Sequence, residues 1–256
     1  MASILALFSC KSKGQNIAFK PNSTQDPKSQ IVTQNIFGEE TTFEYSDFND
    51  LKNNKLYDRF LIGQLHLQSG KVVCTDPMYR ELGLPQSWTV QKGDYPVYIY
   101  IGQTDDFNGR VAYAELIIKD EVPTHWELSL IPEKLLADSF EKKMNGMYPV
   151  ENGLSCFADF ETYKLYDNEV SIYNNADSTN NYYNDKLENL FKQNKDIPKS
   201  SRGEDWLNYK FDGTDKNIIM FGSGYGDGLY PRYVGYDRNG NVVKFITDFI
   251  QLKKDE

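Results

Sequence analysis

The sequence predicts an α+β fold: mainly antiparallel β-sheet, with two or three helices in the 130–195 region. Three observations predict it. Runs rich in Val, Ile and Tyr, punctuated by Gly- and Asn-containing turns, fill the chain before and after that region. Apolar residues at helical spacing are confined to 132–194. Strands therefore flank the helices on both sides in sequence, which favours antiparallel pairing with segregated helices.

The elements follow in order. RFLIGQLHLQSGKVVCTD (59–76) reads as two strands joined at Ser69-Gly70, a hairpin. Asp76-Pro77 ends it, because a residue before proline avoids helical geometry. YPVYIYIGQ (95–103) and RVAYAELIIKD (110–120) form an antiparallel pair around the turn Thr104–Gly109. THWELSLIP (124–132) is a further strand. PEKLLADSFEKK (132–143) sets Leu135, Leu136 and Phe140 near one helical face, with Pro132 at its start. DFETYKLYDNEVSIY (159–173) spaces Phe160, Tyr163, Tyr166 and Val170 as an amphipathic helix, and NDKLENLFKQN (184–194) does the same with Leu187, Leu190 and Phe191. KNIIMFGSG (216–224) returns to strand. Asn239-Gly240 then predicts a hairpin between YVGY and VVKFIT. Tyr-Pro recurs at 95–96, 148–149 and 230–231 and reads as an edge-strand device.

Domain organisation follows composition. Residues 1–10 end in Leu-Phe-Ser-Cys and resemble the tail of a lipoprotein signal, with Cys10 the lipidated residue and an upstream start implied by the missing basic segment. The alternative is a short unanchored N-terminus. Residues 11–35 read as a polar tether, and 36–256 as a single α+β domain. The expected location is the cell envelope, held only by the lipid on Cys10; the alternative is the cytoplasm.

A net charge of −9 with no basic cluster argues against nucleic-acid binding and allows a basic protein partner. No cofactor or metal is expected. Cys10, Cys74 and Cys156 show no C-x-x-C spacing, and nothing local joins His66 to His125. In an exported chain Cys74 and Cys156 are a candidate disulfide.

Candidate chemistry concentrates in GSGYGDGLYP (222–231). Gly222, Gly224, Gly226 and Gly228 alternate, giving backbone freedom for turns or for an anion cradle. The loop lacks a P-loop lysine and a following helix, and Asp227 with Asp237 lacks the ligand series of an EF-hand. Candidate contact residues are Ser223, Tyr225, Asp227, Tyr230 and Tyr148. Candidate catalytic groups are Asp159, Asp227 and Cys156. Asp76, Glu151 and Asp248 complete a set from which a general acid/base pair could be drawn, although aspartates beside Gly or Pro favour side-chain turns. Cys156 beside Phe157 reads either as a nucleophile or as a buried thiol. Trp88, Trp126 and Trp206 read as core or as a sugar platform.

Taken together, SGKVVCTDP, GDYPVYIYIG, VAYAEL, MYPVENGLSCFAD and FGSGYGDGLYPRYVGYDRNGNVVKFITDF resemble the bacterial family called domain of unknown function 4241, over roughly residues 60–249. The chain departs from that family's Asp-Ala at Glu151-Asn152, which weakens any catalytic role for an acid there. The resemblance implies no activity. It does imply that GSGYGDGLYP is a signature rather than a chance turn. Two functions are carried forward: a non-enzymatic interaction protein of the envelope, of a toxin-neutralising type, and an envelope hydrolase using paired carboxylates or Cys156.

Overall fold

A computed structural model of the chain describes residues 30–34, 40–79, 83–103, 109–194 and 206–249. The signal-like residues 1–10 with Cys10, most of the tether, and turn residues 104–108 lie outside them. The α+β class holds. The described strands are β1 (Gln30–Gln34), β2 (Glu40–Glu44), β3 (Tyr57–Leu67), β4 (Val72–Thr75), β5 (Gly93–Gly102), β6 (Val111–Ile117), β7 (His125–Leu128), β8 (Met147–Val150), β9 (Leu154–Asp159), β10 (Trp206–Lys210), β11 (Asn217–Gly222), β12 (Gly228–Tyr236) and β13 (Val242–Asp248). The helices are α1 (Tyr45–Asp50), α2 (Ser139–Lys143), α3 (Phe160–Ala176) and α4 (Glu188–Gln193). β1, the last residues of the expected tether, pairs with β2. No described helix is long and apolar enough to cross a membrane.

A seven-stranded antiparallel sheet, β3-β5-β6-β13-β12-β7 with β8 also on β12, faces a four-stranded sheet, β10-β11-β9-β4. Phe157 and Phe245 meet across the gap with ring centroids 5.3 Å apart. The other face of the small sheet carries the helices: Val73, Cys156, Ala158, Ile218 and Met220 pack on Tyr163, Tyr166, Val170, Leu187 and Phe191. The result is three layers: sheet, sheet, helices. The middle layer explains why β9 is buried at every residue, since alternate side chains serve different cores.

Period-two alternation also settles the cysteines. Cys74 stands opposite Phe157, on the face turned to the large sheet. Cys156 stands one residue away and so turns to the helices. Both are free and buried, so the candidate disulfide gives way to two thiols in separate cores.

The β12–β13 hairpin forms as expected. At its turn, Asp237 accepts from the N–H groups of Asn239 and Asn241 and from the Asn241 side chain, each at 2.8 Å. The Asn241 amide bonds hold its pKa down at about 2. The native turn therefore binds fewer protons than the unfolded chain below the ordinary carboxylate pKa. Its contribution is whole above about pH 4 and lost as pH falls through about 2. Asp237→Asn is expected to flatten that part of the acid-unfolding curve, and an unchanged curve would remove Asp237 from acid stability.

Two expectations are corrected. β3 and β4 do not form a hairpin; β3 pairs with β5, and β4 with β9 in the other sheet. The Ser69-Gly70 turn instead carries the chain between layers, where both faces of β4 are buried. The 132–143 helix is broken into a 3-10 turn at Glu133–Leu135 and α2. Asp138 and Glu141 make the break: the Asp138 carboxylate accepts from the Glu141 N–H at 2.9 Å, and Glu141 reaches back to the Ala137 N–H at 2.6 Å. This reciprocal cap starts a new helix at residue 139. α3 keeps the expected buried stripe of Tyr163, Tyr166 and Val170.

Candidate functional site

The glycine-rich loop between β11 and β12 is tied to the turn between β8 and β9. The Ser223 N–H donates to the Gly153 carbonyl at 3.1 Å, and the Gly153 N–H donates to Asp227 Oδ1 at 3.0 Å. Within the loop, the Ser223 and Tyr230 hydroxyls both donate to the Gly226 carbonyl at 2.8 Å. Gly153 and Gly226 hold φ values of 62° and 97°, which side chains with a Cβ rarely adopt. Their glycines are thus required by the cross-tie itself.

The tie continues into the Tyr-Pro repeats. β8 and β12 pair so that Tyr148 faces Tyr230 across the ladder. Both rings are buried, as is Ser223. Of the five candidate contact residues, Tyr225 and Asp227 stand exposed; Tyr225 is 54% accessible. Tyr225 carries the Arg110 guanidinium 4.5 Å from its ring centre, and Arg110 Nη1 donates to the Gly224 carbonyl at 2.9 Å. Nothing in the sequence pairs position 110 with 225, and only the fold brings them together.

The candidate acids are engaged in backbone ties. Asp159 caps α3, with Oδ1 accepting from the Glu161 and Thr162 N–H groups at 3.0 and 3.4 Å. Its Oδ2 accepts from the Ser69 N–H at 2.7 Å and the Ser69 hydroxyl at 2.6 Å. Asp76, also fully buried, holds the 151–152 turn: Oδ2 accepts from the Glu151 and Asn152 N–H groups and the Asn152 side chain, at 2.9, 3.1 and 3.2 Å. Its Oδ1 accepts from the Met78 N–H at 2.7 Å. At Glu151 it is the N–H that is used, while the side chain is exposed. Asp227 and Asp159 sit at opposite ends of β9, about 20 Å apart along the strand. They form no acid/base pair. Asp248 is buried at the end of β13.

Cys156 is enclosed by the helix-side core, and burial pushes its thiol well above the ordinary range. Burial likewise pushes Cys74 up to about 12, against the opposing pull of Arg232 and nearby hydroxyls. Such thiols stay protonated and unreactive. Iodoacetamide added to the folded protein at mildly alkaline pH is expected to spare both, and to label both after unfolding in urea. Native labelling of Cys156 would instead reveal an activated thiolate.

His66 on β3 and His125 on β7 lie on opposite edge strands of the large sheet, with β5, β6, β13 and β12 between them. No cluster of metal-ligating side chains occurs among the described residues. The three tryptophans are core residues rather than a sugar platform: Trp88 donates to the Ser129 hydroxyl at 2.7 Å, Trp126 to the Asn49 side chain at 2.9 Å, and Trp206 is buried.

One buried polar cluster was not foreseen. The Tyr148 hydroxyl bridges Ser155 on the small sheet and Thr247 on the large one, at 2.7 and 2.8 Å. Beside it lies Arg232, 3% exposed, facing inward from β12. Its Nη1 and Nη2 donate to the Cys74 and Met147 carbonyls at 3.4 and 3.1 Å. Tyr148 and Arg232 also line a cavity of about 290 Å³ reaching out past α2. The available sequence signal is Arg232's place directly after the third Tyr-Pro, at 230–231; its burial has no signature in the sequence.

Residues 65–247 match the family model described as "Protein of unknown function (DUF4241)". No curated protein and no solved structure matches the chain.

Proposed function

The chain belongs to the DUF4241 family of proteins of unknown function, and from that premise we propose that it is a non-enzymatic interaction protein whose contact centres on Tyr225 and Arg110. The observation that carries this reading is the division of labour in the signature. Ser223, Tyr230, Tyr148, Asp76 and Asp159 are consumed inside the fold, whereas Tyr225 is held outward on a loop fixed from beneath. A rigid, exposed Tyr with a stacked Arg matches the composition of interface hot spots and loses little entropy on binding.

The partner is a basic protein, drawn by the net charge of −9. Neutralising a basic toxin at the envelope, from a lipid anchor at Cys10, is the role this reading favours. The charge argument has its own test. Capture from native extract by the full-length chain is expected to yield one stoichiometric basic partner at low salt, with yield falling steeply as salt rises. An acidic partner, or salt-independent capture, would overturn the electrostatic part of the proposal.

A further inference from the structure

We propose that the cavity beside Arg232 binds a small organic monoanion, a carboxylate with an apolar tail. Arg232 is a cation in the interior, and among the described residues no carboxylate oxygen lies within salt-bridge distance of its guanidinium. Two carbonyl oxygens take Nη1 and Nη2, the Tyr148 ring centre lies 5.5 Å away, and Nε has no hydrogen-bond partner. Carbonyl dipoles and a ring face offset only part of the cost of burying a charge. The remaining unmet demand is for negative charge, at the wall of a cavity able to admit it.

The rest of the cavity selects what carries that charge. Leu84, Ile131, Leu136, Met144 and Leu229 supply apolar walls suited to a hydrocarbon tail. The volume, about 290 Å³, equals about ten water molecules' share of the liquid, so a ligand of about ten non-hydrogen atoms fits. Among the described residues a single cation lines it, while Asp138 and Glu141 stand at its α2 side, fixed by their bonds to the Glu141 and Ala137 N–H groups. Those carboxylates oppose a second negative charge on the ligand. A carboxylate is favoured over a phosphate dianion for that reason.

Octanoate has the required size and head group. In calorimetric titration of the full-length protein, octanoate is expected to bind about tenfold or more tightly than octanol or octyl phosphate. Arg232→Met, which removes the cation, and Leu136→Trp, which fills the cavity without touching Arg232, are each expected to weaken octanoate by about tenfold or more. If Arg232→Met fails to fold, Leu136→Trp and the head-group comparison decide the matter. Equal affinity for octanoate and octanol, undiminished binding to Leu136→Trp, or no octanoate binding at millimolar concentration overturns the proposal. Tighter binding of octyl phosphate overturns the choice of a monoanion.

Discussion

Asp159→Ala is expected to lower the unfolding free energy by about 2.5–4 kcal/mol, with a melting temperature about 10 °C below wild type. Two losses add. The cap of α3 contributes about 1 kcal/mol, and the charged hydrogen bonds from Ser69 contribute about 1.5–3 more. The Asp159 side chain is fully buried, so its removal leaves donors that the native fold pairs internally without that acceptor. Asp159→Asn retains one acceptor oxygen and is expected to lose about half as much. Urea unfolding curves check both. Wild-type stability in Asp159→Ala would free this carboxylate for chemistry and revive the hydrolase reading.

Asp76→Ala is expected to cost as much or more, about 4–5 kcal/mol. Its carboxylate gathers donors from three residues, Met78, Glu151 and Asn152, and thereby fixes the start of β9 against the end of β4. Removing it takes away the acceptor of these N–H groups and releases the turn on which the Ser223–Gly153 tie depends. Asp227→Ala provides the contrast. Asp227 is exposed and accepts from Gly153, so a loss of about 1 kcal/mol is expected. A larger loss for Asp227 than for Asp76 would reverse the hierarchy assigned to these acids.

Local chemistry accounts for what the sequence revealed. Asn239-Gly240 specifies its own turn, and the three-four spacing through Tyr163, Tyr166 and Val170 specifies its own helix. Ser69-Gly70 specifies a turn equally well, but not the sheet in which the next strand pairs; that choice follows from burial of both faces of β4. At 132–143 the apolar spacing suggested one helix, and the Asp138–Glu141 cap prevailed because Leu135 has no core to enter. The signature loop was legible as a signature, while the use of its side chains was not. Ser223, Tyr230 and Tyr148 turn inward because β8 and β12 pair there, a contact between segments remote in sequence. Arg110 reaches Tyr225, and Arg232 reaches Cys74, by the same long-range route.

The most direct test of the account compares two baits in one experiment, the full-length wild type and the Tyr225→Ala/Arg110→Ala double variant. Both are used to capture partners from native extract, and both are melted. The account predicts a partner held by the wild type and reduced about tenfold or more with the variant, at a melting temperature within about 3 °C of wild type. Capture of the same partner in equal yield by both, or of none by either, would contradict it.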